Sequence, residues 1–228
     1  RKRILFVPFL EKTLERSVCI AKALHSRGVF SPPPGDRSVS GVVVRCTNFG
    51  IPSRGVNDVS WGLLEGSMTL LTGETGAGKT SFLDAVARVL DYPHPVSTSG
   101  SLVVSHDSSS VAYVSHDPKS LFLAGSVRDE IALGLVLRGM SRMEARSQAD
   151  RELERWGLSE LCTRHPAELS EGESVLVAVM AALVLEPRLL ILDESLALLD
   201  RGRRAQLTAE LDTYSAATQA TVLMTDHG

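Results

Sequence analysis

Gly73-Glu74-Thr75-Gly76-Ala77-Gly78-Lys79-Thr80 fits the pattern G-x-x-x-x-G-K-[ST]. Each residue type has a use in gripping phosphate. The glycines let the backbone wrap an anion so that successive N–H groups point inward. A helix that follows presents its positive N-terminus to the same anion. Lys79 would reach the β- and γ-phosphates of a nucleotide, and the Thr80 hydroxyl would hold Mg²⁺. Ser81, next along the chain, is counted with these residues as nucleotide-binding.

A second pair of chemical groups lies at Asp193 and Glu194, directly after the apolar run Leu189-Leu190-Ile191-Leu192. Open parallel sheets bind ligands at the carboxyl ends of their strands. Asp193 is therefore expected to hold Mg²⁺, directly or through water. Glu194 is expected to polarise an attacking water as general base.

The elements that must position these groups alternate strand and helix. Val42–Val44, Met68–Leu71, Leu102–Val104, Val111–Val114, Leu189–Leu192 and Thr221–Met224 read as short strands. Phe82, Leu83, Ala85, Val86, Val89 and Leu90 recur at helical spacing after the glycine-rich turn. Residues 126–161, 170–185 and 201–212 read as helical. Continuous apolar strands between helices predict an α/β fold around a largely parallel core sheet. Val7, Leu10, Leu14, Val18, Ala21 and Leu24 form one apolar stripe, so residues 1–30 read as an amphipathic helix. The proline-rich stretch from Ser31 to Asp36 lies in a linker, 31–38, and the main domain runs from 39 to 228.

Composition narrows the function. The chain has 228 residues, 43% hydrophobic and 22% charged, with a net charge of −3. That argues against wholesale disorder and gives no electrostatic case for nucleic acid. The longest apolar run, Val175–Leu185, has eleven residues, against the roughly 20 of a spanning helix. Cys19, Cys46 and Cys162 lie far apart, without metal-ligand spacing, and are expected to be reduced thiols. The sequence starts at Arg1 without an initiator Met or a signal-peptide pattern and stops at Gly228. It is expected to be a piece of a longer protein.

With further motifs the chain resembles the ATP-binding-cassette ATPases over about 40–228. Leu169-Ser170-Glu171-Gly172-Glu173 stands where that family usually has Leu-Ser-Gly-Gly-Gln. Tyr113 through Pro118 is similar to the Q-loop, with His116 in place of the usual Gln. Asp200 matches the D-loop, His227 the switch histidine, and Phe49, 24 residues before Gly73, the aromatic that stacks on adenine. The resemblance implies a P-loop NTPase of this type, with an antiparallel β region and a helical subdomain at about 126–175. It implies ATP and Mg²⁺ as ligands, with His116 near the metal. It also implies two cassettes, identical or different, sandwiching two nucleotides. Ser170 and the Gly172 amide would contact the γ-phosphate held by the opposite cassette, and His227 the one in its own half. Glu171 and Glu173 depart from the signature; two carboxylates there oppose a triphosphate unless they point away. Ser195 replaces a common Pro.

Asp117 through Ala132, and the ending Asp226-His227, resemble the energy-coupling factor importers of vitamins and transition-metal ions. Pro8–Gly28, with Ser26-Arg27-Gly28, is similar to the cytoplasmic end of their transmembrane coupling subunit. The implied partners are a second cassette, that coupling subunit and a substrate-binding membrane component, at the cytoplasmic face of the membrane. The alternative is a catalytically weak regulatory half of an asymmetric pair.

Overall fold

The computed structural model describes residues 41–74, 76–87, 97–106 and 110–227, with the backbone alone for His227. The expected helix at 1–30, the linker at 31–38, Thr75 and the residues Val89 and Leu90 lie outside the described residues.

Two sheets carry the fold. The first is antiparallel, in the order β2-β1-β4, built from β1 (Val42–Ile51), β2 (Val56–Leu64) and β4 (Ser99–Val104). The second is parallel, in the order β3-β7-β6-β5, from β3 (Met68–Gly73), β5 (Val111–Val114), β6 (Leu189–Leu192) and β7 (Thr221–His227). Helix α1 (Lys79–Val86) follows β3. Helices α2 (Val127–Leu137), α3 (Arg142–Arg155) and α4 (Glu171–Leu183) lie between β5 and β6, and α5 (Arg201–Thr218) between β6 and β7.

Period-2 geometry explains why the central strand β6 is apolar throughout. Leu190 and Leu192 enter one core with Val222, Met224, Ala112 and Val114. Leu189 and Ile191 enter the other with Leu223, Val111 and Tyr113. Both faces are covered, so no position in β6 faces water, and all of its residues are buried. The first core receives Ile131, Leu153, Trp156 and Leu176 from the helices, and the second receives Phe82, Trp61 and Ile51. Burying each Leu or Ile side chain contributes about 1.5–3 kcal/mol.

The stretch expected to be helical at 126–161 breaks at Gly139, whose φ is 99°. Ser141 then starts α3 with a reciprocal cap: its hydroxyl oxygen accepts from the Glu144 amide while the Glu144 carboxylate accepts from the Ser141 backbone. Strand β2 was not expected. Its buried residues are Val56, Val59, Trp61 and Leu63, with left-handed Asp58 (φ 53°) between the first two. That irregularity breaks the alternation by which a half-buried strand is recognised.

Candidate nucleotide site

The parallel register aligns the chemistry at one edge. Gly73 lies beside His227, Val114 beside Leu192, and Leu192 beside Met224. The carboxyl ends of β3, β5, β6 and β7 therefore bring the glycine-rich loop, His116, Asp193 and the His227 backbone to the same crevice edge, as open parallel sheets do.

The loop is shaped by Gly76 and Gly78, with φ of 80° and 69°, conformations open to glycine without a Cβ penalty. The Ala77 amide donates to the Glu74 carbonyl at 3.0 Å. Lys79, 3% exposed, turns its Nζ back onto the loop and donates to the carbonyls of Gly73 (2.8 Å) and Glu74 (3.1 Å). Its ammonium also lies 3.5 Å from Glu194 Oε1. Glu74 and Gly76 are exposed, whereas Ala77, Gly78 and Ser81 are buried.

Asp193 is wholly buried, and three hydroxyls donate to its carboxylate. Thr80 Oγ1 (2.8 Å) and the Tyr113 hydroxyl (3.2 Å) reach Oδ2, and Thr225 Oγ1 (2.8 Å) reaches Oδ1. Burial pushes the Asp193 carboxyl up from its ordinary range, against the bonds from Thr80 and Thr225, which lower it. Glu194 follows in the left-handed region, φ 50° and ψ 12°. Its amide donates to Thr225 Oγ1 at 2.8 Å. Behind this group lies Asp84 of α1, 1% exposed and 3.8 Å from Arg54 Nη1. Burial, then repulsion from Asp193, pushes its carboxyl up to about 7.

These residues fit a magnesium nucleotide. The Lys79 ammonium sits within the loop that would wrap phosphate, satisfied by loop carbonyls. Ser81 Oγ is buried without a hydrogen-bond partner, an unmet polar group of the kind a phosphate oxygen satisfies. Thr80 and Asp193 already meet across the loop. Among the described residues no group of three or more His, Cys, Asp or Glu could hold a metal ion alone. A cation bound at Thr80 and Asp193 would therefore take its remaining ligands from phosphate and water, the habit of Mg²⁺. His116 is exposed and favours the charged form of Asp193.

Ser170 and Asp200 are held by local bonds of their own, and Gly172 lies in the first turn of α4. Ser170 caps α4: its Oγ accepts from the Glu173 amide (3.3 Å) and donates to Glu173 Oε2 (2.7 Å). The Ser170 amide donates to that same oxygen at 2.7 Å. Glu171 pairs with Lys119 at 3.0 Å, and Glu173 lies 3.8 Å from Arg164. Asp200 caps α5 by accepting from the Arg203 amide at 2.9 Å. Phe49 departs from its expected role. It is 3% exposed and meets Phe82 edge-on, with ring centroids 6.4 Å apart. Packing in the core leaves no open ring face for adenine, so spacing alone misassigned it. Tyr113, Thr225 and Asp84 were not singled out as site residues. Their only sequence signal is a polar group inside or beside an apolar run.

The fold and site define a nucleotide-binding cassette of the P-loop type. The family model described as ABC transporter matches residues 56–197, and the chain belongs to that family. It is 28% identical over 177 residues to the energy-coupling factor transporter ATP-binding protein EcfA1 of Latilactobacillus sakei, covering 75% of this chain and 63% of that protein. It is 35% identical over 173 residues to the Fe(3+) ions import ATP-binding protein FbpC 1 of Rhizobium meliloti, covering 73% of this chain and 47% of that protein. The chain thus spans roughly half to two thirds of the length of these relatives. Among solved structures it shares its fold with cbiO1 from Clostridium perfringens, described as part of the ABC transporter complex cbiONQ. The TM-score is 0.68 at 23% identity, over 83% of this chain and 80% of that one.

Proposed function

We propose that this chain binds Mg-ATP and hydrolyses it to power an importer of the energy-coupling factor type, for vitamins or transition-metal ions. One observation carries the reading: Lys79 stands 3.5 Å from Glu194 while Thr80 bonds to Asp193 at 2.8 Å. A phosphate grip, a metal seat and a general base thus converge. The loop amides and Lys79 would hold the β- and γ-phosphates, with Ser81 offering its unmet hydroxyl. Bound at Thr80 and Asp193, Mg²⁺ would neutralise charge developing on the phosphates. Glu194 would orient and deprotonate the attacking water, and His227 would face the γ-phosphate.

The importer branch rests on Asp117–Ala132 and on the relatives named for energy-coupling factor transport. Relatives named for Fe(3+) and for molybdate or tungstate import match too. The partners would be a second cassette, a transmembrane coupling subunit and a substrate-binding membrane component, at the cytoplasmic face. No helix among the described residues is long and apolar enough to cross a membrane. The regulatory-half reading has less behind it. Of His116, Glu171 and Glu173, which motivate it, the two acids are engaged by Lys119, Ser170 and Arg164.

The test is Mg-ATP hydrolysis by the full-length protein in membranes with its co-expressed partners, wild type against Glu194→Gln. A loss of ~10²-fold or more is expected for a general base. Equal rates with ATP still bound would assign the turnover to the partner cassette.

A further inference from the structure

The geometry assigns Thr225 as a positioning residue: its hydroxyl clamps the metal-holding carboxylate and the backbone of the hydrolytic glutamate to the strand that ends in His227. This rests on the hydrolytic reading above and adds a residue that none of the motifs contains.

Thr225 is wholly buried on β7, beside Leu71 of β3 and two residues before His227. Its single hydroxyl makes two bonds of opposite sense. It donates to Asp193 Oδ1 and accepts from the Glu194 amide, both at 2.8 Å. The geometry is demanding on both sides. Asp193 is wholly buried, so an oxygen deprived of its donor has no water to turn to. Glu194 holds a left-handed backbone that costs a non-glycine residue of order 1–3 kcal/mol and persists only where its surroundings fix it. The bond from its amide to Thr225 is such a fixture. Because Thr80 and Tyr113 both bond to Oδ2, Thr225 alone among these three hydroxyls addresses Oδ1. A metal that draws Thr80 away would leave Thr225 and Tyr113 to orient the carboxylate.

Thr225→Val keeps the shape and removes both bonds, whereas Thr225→Ser keeps the hydroxyl and loses a methyl group. In the full-length protein with its partners, Thr225→Val should lower kcat about 10- to 100-fold, the cost of misplacing a reacting group by a fraction of an ångström to an ångström. KM for ATP should stay within about twofold, since the phosphate grip is untouched. Mn²⁺ affinity of the nucleotide-loaded protein, read by electron paramagnetic resonance, should weaken about 10-fold, as when a residue bonded to a metal ligand is lost. ATP binding without divalent metal should not change. Thr225→Ser should keep kcat and Mn²⁺ affinity near wild type. Equal losses in the Ser and Val variants would make the role one of packing and overturn the assignment, as would an unchanged kcat and Mn²⁺ affinity in Thr225→Val. Should the Val variant fail to assemble, Thr225→Ala, which also removes the hydroxyl, replaces it, and a wild-type kcat there overturns the clamp. Glu194→Gln run in parallel separates the two ideas. If it hydrolyses ATP as wild type does, the hydrolytic reading fails, while weakened Mn²⁺ affinity in Thr225→Val still supports the clamp.

Discussion

Replacing Asp84 with asparagine should stabilise the protein at pH 8 and leave it nearly unchanged near pH 4. Asp84 is buried on α1, 3.8 Å from Arg54, with the Asp193 carboxylate near enough to oppose its ionisation. Its carboxyl is pushed from the ordinary 3.8 up to about 7, burial being the largest cause. Below the lower value the folded and unfolded chains both hold the proton, and the group contributes nothing. Between the two values the unfolded chain releases a proton that the folded chain keeps, so stability falls as pH rises. Above about 7 both forms are ionised and the full penalty persists. At ~1.4 kcal/mol per pH unit, a window of about three units amounts to about 4 kcal/mol. Asparagine has the shape of the neutral acid and no proton to lose, so the variant escapes this penalty. Paired thermal and urea denaturation of wild type and Asp84→Asn, from pH 4 to 8 with chelator present, measures the difference. The gap should open with rising pH, reaching about 2–4 kcal/mol, or roughly 4–16 °C in Tm for a chain of this size. A variant less stable than wild type at pH 8 would refute the reasoning. It would mean that the ion pair with Arg54 outweighs burial and that Asp84 is charged in the folded protein.

Two further substitutions test local geometry. Gly100→Ala should cost more than about 2 kcal/mol by urea denaturation, because Gly100 has a φ of +66° and an added Cβ would lie 2.1 Å from the Asn48 carbonyl oxygen. An unaltered midpoint would show that β1 and β4 can shift there freely. Glu173→Ala should lose about 1 kcal/mol by removing one half of the α4 cap, while Glu173→Gln, which keeps an acceptor, should stay within about 0.5 kcal/mol of wild type. Equal losses in the two variants would mean that charge, not capping, sets the contribution of Glu173.

The parts of the site that were legible in the sequence are those in which one residue type answers one local demand. Gly76 and Gly78 must take positive φ, Lys79 must turn its ammonium back onto the loop, and Leu189–Leu192 must be apolar on both faces. All of these demands are met within a few residues of chain. Tyr113, Thr225 and Asp84 answer demands set by segments far away: Thr225 meets Asp193 across 32 residues and Tyr113 meets it across 80. In the run Thr221–His227 a threonine at 225 reads as an ordinary strand residue, because Thr favours strands for its branched side chain. Only the neighbouring strand shows that its hydroxyl faces a buried carboxylate. Phe49 failed in the opposite sense. Its spacing from Gly73 fits a base-stacking aromatic, but spacing says nothing of what covers the ring, and Phe82 and the β1–β2 core cover it.

The two acids of the signature show why shape and charge must be weighed separately. A glutamine at 173 would cap α4 as Glu173 does, since either carbonyl-type oxygen accepts from the Ser170 amide and hydroxyl. The departure therefore preserves the helix start and changes its field. Glu171 and Glu173 both lie in the first turn, where the helix dipole favours negative charge. They offset the positive helix end that would otherwise draw an anion. Lys119 and Arg164 return positive charge to the same place, at 3.0 and 3.8 Å. Such half-exposed pairs contribute only about 0–1 kcal/mol each to stability, so their weight lies in the local potential. Glu173 is held by Ser170 and ionised, its carboxyl lowered first by the bond from the Ser170 backbone. Under the proposed function, Ser170 would therefore meet an incoming phosphate with its hydroxyl already donated to an anion. If the proposed dimer forms, engagement by the opposite cassette's nucleotide would exchange that bond for one to phosphate, and Arg164, 3.8 Å from Glu173, would receive the carboxylate released.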